Sequence, residues 1–261
     1  MQSPTEPATL SNSQVSAYLA RLDVPRAATP SLATLTTLHR AHLQHVPFEN
    51  LDIHLGRPIV LQEASLYHKV VEAGRGGYCY ELNGLFAALL RTLGFQVTLV
   101  SARVAREDGS LSPEFDHLAL VVEADGPRLV DVGFGDAFLD PLPLQGEIER
   151  CEGRKRLRLE KDGDRWQFLE ARDGENFKVQ YHFTLIPRAL SDFEVMNAFH
   201  QTSPDSHFRR HRIVTLARPE GRVTLRNDLL IETQNGRRRE TRLAEQQSCE
   251  TLAARFGIVL P

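Results

Sequence analysis

Apolar residues in the first third of the chain recur at three- and four-residue spacing, which is the signature of helices with one buried face. Val15, Tyr18, Leu19 and Leu22 predict a helix over 13–22, with Ser13 as its N-cap. Leu32, Leu35, Leu38, His39 and Leu43 predict a second over 31–45. Pro47 stops it, because a proline disfavours helical geometry in the residue before it. A shorter helix is expected over 64–72. A further one follows Cys79, where Leu82, Leu85, Phe86, Leu89 and Leu90 carry the period until Gly94. Residues 1–12 are polar and read as disordered. The first 95 residues therefore read as a helical bundle.

Beyond Gly94 the period falls to two. Strands are expected at 97–104, 117–123, 128–132, 154–160, 165–170 and 177–185, with Lys161, Asp162, Gly163 and Asp164 supplying a hairpin turn. Residues 96–200 thus read as an antiparallel β-barrel or curled sheet, closed by a helix over 191–199. Residues 201–261 carry strands at 212–216, 222–226 and 229–233, an Asn235–Gly236 hairpin signal, and a helix over 243–256 ended by Gly257. The fold class is α+β.

Composition narrows the function classes. A chain of 261 residues can bury a sizeable core. A net charge of −3 argues against a general nucleic-acid binder. No apolar run is long enough to span a bilayer, and the N-terminus lacks the pattern of a signal peptide. Three cysteines, Cys79, Cys151 and Cys249, without CxxC spacing, argue against a disulfide framework or a structural zinc site. A cytoplasmic protein is expected.

Candidate chemistry centres on Cys79. Gly76 and Gly77 precede it, and a helix follows. A cysteine at a helix N-terminus faces free backbone N–H groups and the positive end of the dipole, which favour its thiolate. The alternative is a small buried hydrophobe, the common fate of a free cysteine.

A thiolate nucleophile needs a base, and the base needs an orienting group. His117 opens one expected strand and Asp131 ends the next. If Ala124, Asp125 and Gly126 form a three-residue loop, Glu123 faces Pro127 and Asp131 faces Ala119. His117 and Asp131 then lie on one face as diagonal neighbours. A two-residue loop would put them on opposite faces. Structural roles, a hydrogen-bonded strand histidine and a turn aspartate, remain open for both. His39, His42 and His45 lie near one helical face, but no carboxylate or cysteine completes a metal site there. Arg237, Arg238 and Arg239 read as a solvated hairpin face or a contact for an anionic cofactor. No Rossmann or P-loop glycine motif is present.

The segment Arg75-Gly-Gly-Tyr-Cys79-Tyr-Glu-Leu-Asn83 resembles the signature of the arylamine N-acetyltransferases. The segments 46–52, His117 with its strand, 130–135 and 203–208 match that family in order. The resemblance runs from about Tyr18 to the C-terminus and is closest to compact, bacterial-type members. It implies a helical bundle (1–95), a β-barrel (96–200) and an α/β lid (201–261) around a cysteine-protease-like core. It further implies Cys79 as nucleophile, His117 and Asp131 as its partners, and two-step acetyl transfer from acetyl-CoA to an arylamine or hydrazine, with no metal. Gly133, Phe134 and Gly135 would approach the cofactor, Phe134 lining the acceptor pocket or gating it. Arg75 and Glu49 would pair to brace the Cys79 loop, and Asn83 would bond near the triad. The same triad would also serve an amide synthase closing a macrolactam from a carrier-bound acyl chain, or a thiol hydrolase. A binding module with a dead site is the non-enzymatic alternative.

Overall fold

The computed structural model describes residues 9–26, 29–146, 148–172 and 174–260. The helical part holds α1 (Asn12–Arg21), α2 (Leu32–His45), a two-residue strand β1 (Phe48–Glu49), α3 (Leu51–His54), α4 (Glu63–Tyr67) and α5 (Cys79–Thr92). Where one helix over 64–72 is expected, α4 passes into a π-helical turn at His68–Glu72. Ser11, not Ser13, caps α1: its hydroxyl accepts from Gln14 N–H at 3.3 Å while the Gln14 side chain accepts from Ser11 N–H at 2.9 Å. Leu10 is buried and its N–H reaches Thr92 Oγ1, so the expected disorder of residues 1–12 fails for 9–12. Residues 1–8 lie outside the described residues.

The middle of the chain forms β2 (Val97–Val104), β3 (His117–Glu123), β4 (Pro127–Val130), β5 (Leu142–Pro143), β6 (Arg150–Glu152), β7 (Lys155–Asp162), β8 (Arg165–Arg172) and β9 (Lys178–Thr184). These make one antiparallel sheet of eight strands in the order β5-β4-β3-β2-β9-β8-β7-β6. Among the described residues its two edges, β5 and β6, do not pair, so of the two expected forms the sheet takes the curled one, a half-barrel, and not the barrel. A 3₁₀ turn, Leu190–Phe193, leads into α6 (Glu194–Thr202).

The last part contains α7 (His207–Arg210), β10 (Ile213–Arg218), β11 (Gly221–Arg226), β12 (Leu229–Gln234), β13 (Arg237–Arg242) and α8 (Glu245–Phe256). Gly257, with φ +68°, ends α8 as the sequence predicts. The second sheet runs β1-β10-β11-β12-β13, so a strand from the helical part forms its edge. Phe48 pairs with Thr215 and Glu49 with Val214.

Strand alternation divides the core. On β3, Leu118, Leu120 and Val122 pack outward on α5 and the other helices, while Ala119 points inward with Val100, Phe168, Tyr181 and Phe183 to fill the curl. A third cluster joins Val214, Leu216 and Leu225 of the second sheet to Leu252 and Phe256 of α8. α5 lies at the centre of the first cluster, and its first residue is Cys79.

Candidate active site

Tyr78 is the N-cap of α5 in extended geometry, and its N–H donates to the Glu81 carboxylate at 3.0 Å. That half of a capping box fixes the entry of the helix. The approach to it is crowded. A Cβ on Gly76 would lie 1.9 Å from the Pro47 carbonyl oxygen, and one on Gly77 would lie 2.8 Å from Glu81 Cβ. Only glycine allows this close passage. Beneath the loop, Arg75 donates to Glu49 Oε1 through Nε (2.9 Å) and Nη2 (2.7 Å), and to Asp52 Oδ1 at 3.1 Å. Lys69 reaches Asp52 at 2.7 Å and Glu81 at 2.8 Å. The expected Arg75–Glu49 pair is therefore one link in a buried network that braces both sides of the loop.

The β3–β4 hairpin has the three-residue loop that its glycine favours. Glu123 pairs with Pro127, and Asp125 and Gly126 take positive φ (+50° and +85°). Leu120 pairs with Val130, which places Asp131 opposite Ala119 and on the face of His117. His117 Nε2 meets Asp131 Oδ2 at 2.7 Å, with both side chains buried. Cys79 is close enough to His117 and to the Leu118 backbone for each to pull its thiol pKa down, and it pulls the His117 pKa up in turn. The structure thus brings Cys79, His117 and Asp131 into one chain of contacts from three elements.

Asp131 is fully buried and accepts four hydrogen bonds. Oδ2 takes His117 and, at 3.1 Å, the Tyr181 hydroxyl. Oδ1 takes Asn83 Nδ2 and Gly133 N–H, each at 2.9 Å. Asn83 lies four residues after Cys79, on the same face of α5. Its amide also donates to Leu118 O at 2.7 Å and accepts from Val132 N–H at 2.9 Å, tying the helix to both strands.

These contacts set the proton balance. Burial alone would lower the His117 pKa, but the Asp131 carboxylate and its hydrogen bond, with Cys79, push it up to about 10. Asp131 resists its own burial through His117, Asn83 and Gly133 and stays below the usual carboxylate range. Burial pushes the Cys79 thiol up, while the hydrogen bond and charge of His117 pull it down. The direction that governs the pair is the one at His117: Asp131 keeps the imidazole charged near neutral pH, and that charge is what the sulfur faces.

Gly133, Phe134 and Gly135 follow Asp131 directly. A Cβ on Gly133 would stand 2.7 Å from Cys79 Cα and from Asn83 Nδ2, so the chain itself fills the space its missing side chain leaves. Phe134 packs edge-on to His117 and to Tyr181, at 5.1 Å between centroids in each case. Gly135 has φ +89°, and its carbonyl accepts from Arg222 of β11.

The family model for N-acetyltransferases matches residues 31–261. The arylamine N-acetyltransferase / N-hydroxyarylamine O-acetyltransferase of Salmonella typhimurium is 40% identical over 214 residues, 81% of this chain and 76% of that protein. The chain belongs to the arylamine N-acetyltransferase family. Among solved family structures, the Salmonella typhimurium enzyme superposes with a TM-score of 0.89 at 35% identity, covering 95% of this chain and 92% of that one. The Mycobacterium marinum arylamine N-acetyltransferase in complex with CoA gives 0.87 at 32% identity, covering 94% and 92%.

In this member of the arylamine N-acetyltransferase family, three residues that the sequence reading left without a site role sit against Asp131 or its loop. Tyr181 donates to the carboxylate, as above. His39 is fully buried on α2. Its Nδ1 lies 2.7 Å from Leu139 O, and its Nε2 lies 3.2 Å from Asp131 N. Nδ1–H donates to Leu139 O, and Nε2, which is also 3.2 Å from Asp131 O, accepts from the Asp131 N–H when the ring is neutral. Burial favours that form by pushing its pKa down. Its signal in the sequence is a histidine on the apolar face of a helix. Arg222 is the third. It reaches Asp136 at 2.9 Å as well as Gly135 O. His42 and His45 go elsewhere, to the Tyr18 hydroxyl at 2.8 Å and Ala41 O at 2.9 Å.

Among the described residues, no helix is long and apolar enough to cross a membrane. Cys151 and Cys249 are free and exposed, away from the buried Cys79.

Proposed function

We propose that the protein transfers an acetyl group from acetyl-CoA to the nitrogen of arylamines or arylhydrazines in two steps, through an acetyl thioester on Cys79. The observation that carries this reading is the buried His117–Asp131 hydrogen bond with Cys79 beside the imidazole, Asp131 being buried and fully bonded. In the resting site His117 already holds the proton of Cys79, so the sulfur is a thiolate paired with an imidazolium that Asp131 stabilises. The thiolate attacks the thioester carbonyl of acetyl-CoA. The first N–H groups of α5 have no partner inside the helix and face the developing oxyanion. The carbonyl reforms, CoA leaves as a thiol with the proton from His117, and Cys79 holds the acetyl group. The neutral amine then attacks that thioester, His117 takes its proton, and the Cys79 thiolate departs with the amide formed.

CoA as the donor's carrier is supported by the Mycobacterium marinum relative, whose structure holds it. We place the donor against Gly133, Phe134 and Gly135, and the acceptor beside Phe134. The relatives' names favour acetyl transfer over the amide synthase reading. The test is the intact mass of the protein mixed with acetyl-CoA in the absence of amine. An acetyl adduct is expected, absent in Cys79→Ala and discharged by an added arylamine. No adduct on the wild-type protein would overturn the reading.

A further inference from the structure

Cys79 stands between two fully buried tyrosines whose hydroxyls go to different parts of the molecule. That of Tyr78 bonds Asn197 Oδ1 on α6. That of Tyr80 donates to two backbone carbonyls just ahead of His117, Phe115 O at 2.8 Å and Asp116 O at 3.1 Å. One hydroxyl hydrogen is thus shared between the two residues that lead the chain into β3. The acyl-transfer chemistry itself makes no use of Tyr80.

The backbone that Tyr80 meets is held in an unfavourable form. Phe115 has φ +66°. A bulky side chain in the left-handed region crowds the neighbouring carbonyl, and such a residue persists only where its surroundings over-determine it. The ring is fixed by packing, edge-on to Phe193 at 5.3 Å and with the Arg188 guanidinium 5.0 Å from its centroid. The turn around it is gripped from β2, α5 and α6. Phe115 N–H donates to Ser101 Oγ of β2 at 2.8 Å. Tyr80 of α5 binds the two carbonyls. The Asp116 carboxylate lies 3.4 Å from His200 Nε2 of α6. Immediately after this turn, His117 pairs with Ala102 and the strand begins. The turn therefore sets where the His117 backbone stands, and with it the point from which the imidazole departs.

We infer that Tyr80 is a positioning residue for the Cys79–His117 pair: its hydroxyl clamps the left-handed turn at Phe115 and so fixes the imidazole relative to the sulfur. Tyr80 follows Cys79 directly in the first turn of α5, so the tie runs from the nucleophile's own helical turn to the strand that carries its base. Asp131 acts on the ring itself, through Nε2. The two ties do different work, since one turns the ring and the other places its backbone. Burial pushes the Tyr80 pKa up, so the residue is uncharged near neutral pH and acts on Cys79 through geometry. This role rests on the acyl-transfer reading of Cys79 and His117. Alkylation tests it apart from that reading, because iodoacetamide needs no acyl donor. A protein that takes no acetyl group from acetyl-CoA would still have a measurable thiolate.

The test is the pH dependence of Cys79 alkylation by iodoacetamide in the full-length protein. It is read by peptide mass spectrometry, because Cys151 and Cys249 are exposed and react too. Tyr80→Phe removes the hydroxyl and keeps the ring. Ser101→Ala releases the same turn from the other side. Tyr18→Phe is the control, a buried hydroxyl lost from its 2.8 Å bond to His42 between α1 and α2. A displaced imidazolium holds the thiolate less well, so the alkylation midpoint should rise by about one pH unit in Tyr80→Phe. That is a tenfold loss of thiolate below the midpoint, the scale of one lost hydrogen bond. Ser101→Ala should move the midpoint the same way. Tyr18→Phe should lower the unfolding temperature and leave the midpoint where it was, which separates loss of stability from loss of position. An unmoved midpoint in Tyr80→Phe, or an equal rise in Tyr18→Phe, would overturn the assignment and leave Tyr80 a structural residue. If Tyr80→Phe does not fold, the midpoint of Ser101→Ala decides by the same rule.

Discussion

Asp131 is the residue on which the site depends, because every neighbour that fixes it also fixes something else. Asp131→Asn keeps the shape and removes the charge that holds His117 protonated. Acetylation of Cys79 by acetyl-CoA should slow by about 10³- to 10⁴-fold, the scale of such a change in a Ser–His–Asp triad. Rapid-quench mass spectrometry checks this, and a loss under tenfold would remove Asp131 from the mechanism. The same contacts make stability depend on pH. His117 titrates near 6.5 when unfolded and at about 10 when folded. A group whose pKa folding raises adds stability below the unfolded value and loses it as pH climbs through the folded one. Asp131 works in the opposite sense, contributing above its unfolded pKa and losing that contribution in acid. The unfolding midpoint in urea should therefore fall between pH 6.5 and about 10, and His117→Gln should flatten that fall. Parallel slopes in the two proteins would mean that the pair does not couple to folding. His39 adds a third case. Its replacement by leucine leaves the buried Asp131 N–H unpaired and should cost about 1–3 kcal/mol, read as a shift in the same midpoint.

At the scale of elements, the site is a meeting of α5, the β3–β4 hairpin and the loop after Asp131, held at contact distance by glycine. Gly133→Ala puts a methyl group 2.7 Å from the Cys79 backbone. The loop must lift from α5, and the Gly133 N–H must leave Asp131. Destabilisation of about 1–3 kcal/mol is expected, as for other overpacked sites, together with slower acetylation of Cys79. Gly146→Ala, with nothing within 4 Å of the added carbon, is the control and should change neither. Thermal unfolding and the intact-mass assay read both effects. What the sequence made legible belongs to this scale. Loop length and strand alternation are local, so the count through Ala124, Asp125 and Gly126 was enough to put Asp131 on the face of His117. The position of Cys79 at a helix start was readable from the glycines before it and the apolar period after it. β1 was not, because two residues carry no period and gain strand geometry only from β10, far along the chain. Nor was the opening of the sheet: whether β5 meets β6 depends on curl, which no local pattern encodes. His39 was seen as a core residue of α2, and its second partner lies 92 positions away.

Two of the junctions that hold the whole molecule together bear on the site. β1 carries the helical part into the second sheet, and Glu49 on it also anchors Arg75 beneath the Cys79 loop. The other junction is Asp136, three residues after Gly133, where cations from both sheets converge. Lys155 reaches it at 2.8 Å and Arg172 at 3.0 Å from the curled sheet, and Arg222 at 2.9 Å from the second sheet. These charges hold the Asp136 carboxyl well below the usual range against its partial burial. Of these three cations, Arg222 is the one that also bonds the Gly135 carbonyl, and so it hydrogen-bonds the second sheet to the loop that packs on Cys79. Arg222→Leu leaves Asp136 paired with Lys155 and Arg172 but frees Gly135 from β11. Amide exchange across residues 133–138 should accelerate by about tenfold or more, the loss of one charge-assisted bond expressed as a local opening equilibrium. Exchange in α5 should stay as it is, since none of its bonds is touched. Lys155 Nζ donates to Asp136 O at 3.0 Å and Ala137 O at 2.8 Å, so Lys155→Met should loosen residues 136–138 from the curled-sheet side while leaving the Gly135 bond, and exchange at 133–135 should rise more in Arg222→Leu. Hydrogen exchange followed by mass spectrometry separates these cases. If Arg222→Leu leaves the loop as protected as before, the second sheet does not hold it, and the curled sheet alone fixes the geometry around Cys79.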